Sequence, residues 1–348
     1  MNLEPITTQE VTSMNHALFE RAYGCLMGVA VGDAMGMPSS LMTPQEIASQ
    51  IGRIDRFLPA PRGHVIHDGL PAGSTTDDTA QTVAVARAII GDGGKVVPES
   101  VAREILAWAE SVGALDEGAM VLGPSSRAAL ALLRAGVPPA EAGKSGETNG
   151  APMRISPVGI IHPGDPYGAV ADTELACLPT HGTSIAISGA AAISCAIACA
   201  MGGETTLENV VRAAMRGADL GAARGRLVAA PSIARRIEWA VDLVLSARDE
   251  SRACRDLYEL VGTSVATAET VPAAIALFVL AGGDPMKTAI LAANTGGDCD
   301  TVGAIAGSVA GAFAGIAAFP SDVIETIERV NRHNLKAVAA SLVETMRS

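Results

Sequence analysis

Asn294-Thr295-Gly296-Gly297-Asp298-Cys299-Asp300-Thr301 runs straight into residues 302–319, eighteen positions without a charge. An apolar run of that length reads as a helix, and Asp and Thr at its start suit a helix N-terminus. A cap, however, needs one side-chain oxygen, and this cluster brings three. The paired glycines permit strained turns and let a ligand come close to the backbone. Inside the run, Gly303, Gly307, Gly311 and Gly315 recur at every fourth residue, on one helix face. Such a stripe costs roughly 1 kcal/mol per glycine relative to alanine, so it predicts close contact with another helix. Gly24, Gly28 and Gly32 repeat the pattern in a helix expected from about Asn15 to Val31. Both helices are therefore expected to be buried and central, with Asp33 near the acidic cluster.

The acidic pattern occurs a second time, at Thr76-Asp77-Asp78-Thr79, again ahead of an Ala/Val-rich segment. Two helix caps would explain the two copies separately. If they converge, four carboxylates share one pocket, a costly arrangement in a low-dielectric site unless cations neutralise it. Oxygen ligands call for a hard ion such as Mg²⁺, Mn²⁺ or Ca²⁺ rather than zinc.

The rest of the 348 residues bounds the fold. Hydrophobic content is 49% but aromatics are only 3%, so the core must be built from Ala, Val, Ile and Leu. Alanine is the best helix former, and strand-like alternation is scarce, so an all-α chain is expected. Helical patterns lie over 98–108, 124–135, 185–201, 207–247, 253–263, 272–280, 285–293 and 321–346, and from Thr79 to Ile90. Thr43-Pro44-Gln45-Glu46 is a capping box with proline at the first helical position. His64-Val65-Ile66 is expected to be a short extended piece. No Gly/Ser-rich or charged linker divides the chain, which predicts a loose arm over 1–13 and a single domain over 14–348.

A net charge of −12 argues against nonspecific nucleic-acid binding, which needs basic phosphate contacts. The runs 302–319 and 185–201 approach membrane-spanning length. They are rich in Ala and Gly and lack Lys/Arg or Trp/Tyr anchors, so buried core helices are expected and no membrane partner. The N-terminus has no apolar signal-type region. Six scattered cysteines form no CxxC pair, which suits reduced thiols and a cytoplasmic location.

The loop Lys144–Arg154 combines flexible glycines, polar groups and an arginine, and could offer backbone N–H groups to a phosphate or hydroxyl; an Asn-Gly turn is the plainer alternative. His181 precedes an apolar helix and reads equally as a cap or a substrate contact. His64 and His67, three apart, are weak evidence of a metal. Serine–histidine and cysteine–histidine nucleophile signatures are absent.

Taken together, five stretches resemble the ADP-ribosylglycohydrolase family. They are Gly28-Val-Ala-Val-Gly32-Asp33-Ala34-Met35-Gly36, Thr76-Asp77-Asp78-Thr79, Asn149-Gly150-Ala-Pro-Met153-Arg154 with Pro157, Thr180-His181, and Asn294 to Thr301. The resemblance covers most of the chain, in order. It implies an all-α orthogonal helical bundle with a central binuclear Mg²⁺ or Mn²⁺ site. Carried over by motif, the metal ligands would be Thr76, Asp77, Asp78, Asp298, Asp300 and Thr301, with Asp77 and Asp300 catalytic. Asn149, Gly150, Met153 and His181 would line the ribose and phosphate pocket, with Arg154 in the same loop and Glu147 beside it.

One departure concerns chemistry. The family usually carries Glu seven residues after the Gly-Asp aspartate, where this chain has Ser40. Glu147 adds a carboxylate that would repel a pyrophosphate. The expected activity is metal-dependent hydrolysis of a ribosyl glycosidic bond, on ADP-ribosylated protein or a related N-riboside. A nucleosidase acting on a small nucleoside is one alternative. An ADP-ribose- or ribose-binding member with impaired catalysis is another.

Overall fold

The computed structural model describes residues 8–203 and 206–346. Helices make up 66% of the described residues, among which there are no strands, only three isolated bridges. Six helices surround the region of interest: α1 (Thr8–Gly36), α2 (Asp77–Gly91), α3 (Ser184–Met201), α4 (Thr267–Leu280), α5 (Pro285–Ala293) and α6 (Cys299–Ala314).

The two glycine stripes face each other, and α1 packs along α6. A Cβ at Gly24 would lie 2.5 Å from the Gly311 carbonyl oxygen, and Cβ atoms at Gly28 and Gly32 would overlap the carbonyls of Gly307 and Gly303. Backbones this close leave no room for any side chain, which accounts for the cost of the stripes. The contacting stretches are internal: Leu26, Met27, Val29 and Ala30 on α1, and Ala304, Ile305, Ala306 and Val309 on α6, are fully buried. Helices α3, α4 and α5 pack around α6. Helix α3 is long and apolar enough to cross a membrane by composition, yet it is 94% buried inside the protein. It serves as core, as its small-residue content predicts.

Several boundaries differ from expectation. Helix α1 begins at Thr8, so residues 8–13 of the expected arm are helical; residues 1–7 lie outside the described residues. It continues to Gly36, past Val31, because Pro38 is the first residue that cannot extend it. The pattern 207–247 is two helices, Leu207–Gly221 and Ile233–Ser246, parted by a loop holding Gly225 and Pro231. The pattern 321–346 breaks at Arg332 and Asn334, both left-handed, into Ser321–Asn331 and Leu335–Thr345. That break has a use. Asn331 Oδ1 accepts from the Thr75 N–H at 2.9 Å, its amide donates to Gly73 O at 2.9 Å, and His333 Nε2 meets Thr75 Oγ1 at 3.1 Å. The loop feeding α2 is thereby fixed. Thr43–Glu46 forms the expected capping box with Pro44 at N1. His64–Ile66 is a tight turn instead of an extended piece, because His64 Nδ1 accepts from the backbone N–H groups of Ile66 and His67.

Candidate active site

The N-termini of α2 and α6 point at one place, beside the C-terminal half of α1. Asp33 makes the junction. Its carboxylate accepts from the Thr76 N–H at 2.9 Å, the Thr79 N–H at 3.1 Å and Thr79 Oγ1 at 2.5 Å. Three donors at a helix N-terminus are a favourable place for an anion. Asp33 is thus committed to holding α2 in position.

The second cluster is placed by its glycines. Gly296 and Gly297 have φ of 89° and 82°, a region open to glycine at little cost. Their turn lets Asp298 N–H donate to Thr263 O at 2.7 Å and Gly297 pair with the 41–42 segment. Leu41 N–H donates to Gly297 O at 2.6 Å, and Gly297 N–H to Met42 O at 2.8 Å. This pairing carries Ser40 to Asp300.

Asp77, Asp78, Asp298, Asp300 and Thr301 line one cavity of about 210 Å³, together with Asn149, Gly150, Met153 and His67. Thr76 lies just behind it as the α2 cap, donating to Asp78 Oδ2 at 3.1 Å. A neighbouring cavity of about 450 Å³ shares Ile66, His67, Asp77 and Val121 and extends past Trp108. Asn149 Nδ2 donates to Asp298 Oδ2 at 2.5 Å and to Thr270 Oγ1 at 3.0 Å.

Mutual repulsion marks the electrostatics. Burial, then Asp300 and Asp33, push Asp77 up to about 7. Burial, then Asp77, Asp33, Asp300 and Asp298, raise Asp78 well above the carboxylate range. Burial, then Asp300, raise Asp298 against the opposing Asn149 hydrogen bond. Burial raises Asp33 to about 6, even against its hydrogen bonds from Thr79 and Thr76. Asp300 is the exception. Burial would raise it, but His67, followed by Ser40, outweighs burial and holds it at about 2. Ser40 Oγ and His67 Nε2 take its two oxygens, at 2.5 and 2.8 Å.

The donor set can be tested against a divalent ion. Asp78 is 1% exposed, and its Oδ1 is buried with no hydrogen-bond partner. An unpaired carboxylate oxygen among other carboxylates is expensive, and a cation removes both costs. The all-oxygen donors suit Mg²⁺ or Mn²⁺. Among the described residues, no three His, Cys, Asp or Glu side chains already stand as a finished cage. Two of the six expected ligands are threonines, and half of the carboxylate oxygens of the four aspartates are engaged by Ser40, His67, Asn149 and Gln81. The chemistry of the donors fits.

Three residues expected at the pocket are elsewhere. His181 is fully buried beneath the loop, with its Nδ1 2.7 Å from Thr180 Oγ1 and its Nε2 3.1 Å from Thr148 Oγ1. A Cβ at Gly150 would come within 2.7 Å of its ring, so it shapes the loop and does not face the cavity. Burial, then Arg154, lower its pKa well below the ordinary value and keep it neutral. Glu147 points out to solvent, 3.9 Å from Arg226, so the repulsion expected of it does not reach the cavity. Arg154 is 1% exposed and donates to Gln81 Oε1 at 2.5 Å and to Thr180 Oγ1. Gln81 in turn donates to Asp77 Oδ2 at 2.8 Å. The arginine therefore acts one layer behind the acids.

The residues missed in the sequence are His67 and Gln81. His67 carried a weak signal, its spacing from His64. Gln81 carried one too, at four residues from Asp77 on the same helix face.

The chain is similar to known proteins along nearly its whole length. It is 38% identical to the uncharacterised protein YegU of Escherichia coli K12, over 93% of this chain and 97% of that one. It is 29% identical to the ADP-ribosyl-[dinitrogen reductase] glycohydrolase of Rhodospirillum rubrum, over 94% and 97%. A solved structure described as an ADP-ribosylglycohydrolase-related protein complex superposes with a TM-score of 0.70 at 24% identity, covering 95% of this chain and 99% of that one. A family model described as ADP-ribosylglycohydrolase matches residues 14–348. With this match joined to the helical fold and the convergent acid clusters, the chain belongs to the ADP-ribosylglycohydrolase family, a family of glycosidases.

Proposed function

We propose that the protein hydrolyses a ribosyl glycosidic bond with the help of two divalent ions, Mg²⁺ or Mn²⁺, held among Thr76, Asp77, Asp78, Asp298, Asp300 and Thr301. The observation that carries this reading is Asp78, buried among four other aspartates with one oxygen unpaired. Divalent cations there offset the carboxylate charge and make water more acidic. Asp77 and Asp300 orient the attacking water; Asp300, held at both oxygens, is the more rigid of the two. The dense carboxylates stabilise positive charge developing at the anomeric carbon. Asn149 fixes Asp298, and the Gly150–Met153 wall shapes the ribosyl pocket.

The 210 Å³ cavity is smaller than the usual range for whole drug-sized ligands. It suits the ribosyl unit alone, with the remainder of the substrate directed into the adjoining cavity along Trp108. The same size favours, as a second reading, a small nucleoside over ADP-ribosylated protein.

The test is turnover on ADP-ribosyl-arginine, ADP-ribosyl-serine and a panel of N-ribosides, with and without chelator. Metal-dependent release of free ribosyl product that disappears in Asp300→Ala is expected. Chelator-insensitive turnover, or none on any substrate with metal bound, would overturn the proposal. The pattern across the panel separates the two substrate readings.

A further inference from the structure

We infer that His67 is a nitrogen ligand of the divalent-cation site, sharing an ion with Asp300 and biasing the site toward first-row transition ions over Mg²⁺. This rests on reading the acid cluster as a cation site.

Three observations carry it. His67 is buried and lines both cavities, so its ring stands where they meet. Its Nε2 is 2.8 Å from Asp300 Oδ2. At that distance the two atoms share a hydrogen bond, so a cation bound there would displace the shared proton and be held by both. Finally, the ring is held in place from behind. His64 stacks on it at 5.2 Å between centroids and accepts from the His67 backbone N–H at 3.1 Å. The Gly63 N–H to Asp68 hydrogen bond, at 2.9 Å, closes the same turn. A ligand presented this way loses little freedom on binding.

An imidazole changes the preference of an otherwise oxygen site. Nitrogen donors favour Co²⁺ and its neighbours through the Irving–Williams order, while Mg²⁺ gains little from them. Of the two groups on Asp300, Ser40 offers a neutral hydroxyl and His67 the donor that discriminates between ions.

The experiment is electron spin-echo modulation on the Mn²⁺-loaded protein, with natural-abundance and ¹⁵N-histidine-labelled samples, for wild type and His67→Gln. Directly bound imidazole nitrogen is expected in wild type, shifted by the label and absent from His67→Gln. The Co²⁺-to-Mg²⁺ affinity ratio, measured calorimetrically, should fall about tenfold or more in the variant. Mn²⁺ bound without nitrogen modulation overturns this inference and leaves the cation site standing. So does modulation that persists in His67→Gln, which assigns a different nitrogen. Failure of any divalent ion to bind removes both readings. The wild-type spectrum decides even if the variant does not fold.

Discussion

Ser40 Oγ donates a 2.5 Å hydrogen bond to Oδ1 of Asp300, 260 positions later in the chain. Ser40 is 1% exposed, so the contact is sealed from water. Placing Glu here puts a carboxylate against one that His67 already keeps ionised. Ser40→Glu should destabilise the metal-free protein by at least about 1–3 kcal/mol and tighten divalent binding. Paired thermal melts, in chelator and in excess Mn²⁺, check this: the deficit should shrink on adding metal. An equal deficit in both would show that the new carboxylate does not reach the ion.

Asp78→Asn should separate stability from metal binding. It removes a buried carboxyl whose Oδ1 has no partner and whose ionisation burial and the neighbouring aspartates oppose. The metal-free variant should melt higher than wild type. Its melting temperature should no longer respond to Mg²⁺ or Mn²⁺. A lower melting temperature in chelator would mean the carboxylate is better accommodated than its surroundings indicate.

Asp77→Ala and Asp300→Ala should each abolish binding of at least one ion, because each removes a charged oxygen from a site that needs several. Titration calorimetry reads this as a loss of stoichiometry or a large fall in affinity. Wild-type stoichiometry and affinity in both variants would place the ions elsewhere.

The metal-free protein should lose stability as pH rises from about 4 to about 7. Asp33 and Asp77, raised to about 6 and about 7, hold protons in the folded state that the unfolded chain has released. The folded state therefore binds more protons in that window, and stability falls with increasing pH. Asp300, held at about 2, contributes in the opposite sense only below the window. Chemical denaturation between pH 4 and 8 in chelator should show the slope, and saturating Mn²⁺ should flatten it. A flat profile in chelator would contradict the charge crowding.

Gly28→Ala should destabilise by about 1–3 kcal/mol or more, although helix propensity alone favours alanine by about 1 kcal/mol. The reversed sign identifies the backbone contact, because the added Cβ overlaps the Gly307 carbonyl. Gly91→Ala, in helical backbone with nothing within 4 Å of the new atom, is the control. It should be neutral or slightly stabilising. Equal responses at the two sites would mean α1 and α6 tolerate separation.

What the sequence made legible was local and periodic. Gly24/Gly28/Gly32 and Gly303/Gly307/Gly311 announced buried helices because a four-residue spacing fixes a face. The acid clusters announced themselves because each brings several oxygens within four residues at a helix start. The partnership of Ser40 and His67 on Asp300 was not legible, since two loops and a glycine turn bring them together and none of these has a period. His181 and Arg154 were expected at the cavity wall because polar residues in a loop look alike whether they face a ligand or support the wall from behind. The packing of Gly150 on the His181 ring and the Arg154 bonds to Gln81 and Thr180 separate the cases. The helix breaks at 222–232 and 332–334 were lost because apolar spacing persists across them, while the turn that ends a helix depends on what the next helix meets.

The glycine contact between α1 and α6 also sets an order of events in the making of the molecule. Gly32 and Gly303, which touch, are about 270 residues apart, so the central pair closes one of the longest loops the chain can form. During synthesis the first helix must wait, its bare backbone face without a partner, until α6 has emerged. Chains stopped short of α6 would expose that face together with Asp33, and would be natural clients for chaperones and proteases. The pocket cannot form in a fragment that lacks the start of α6, because Asp298, Asp300 and Thr301 complete its wall.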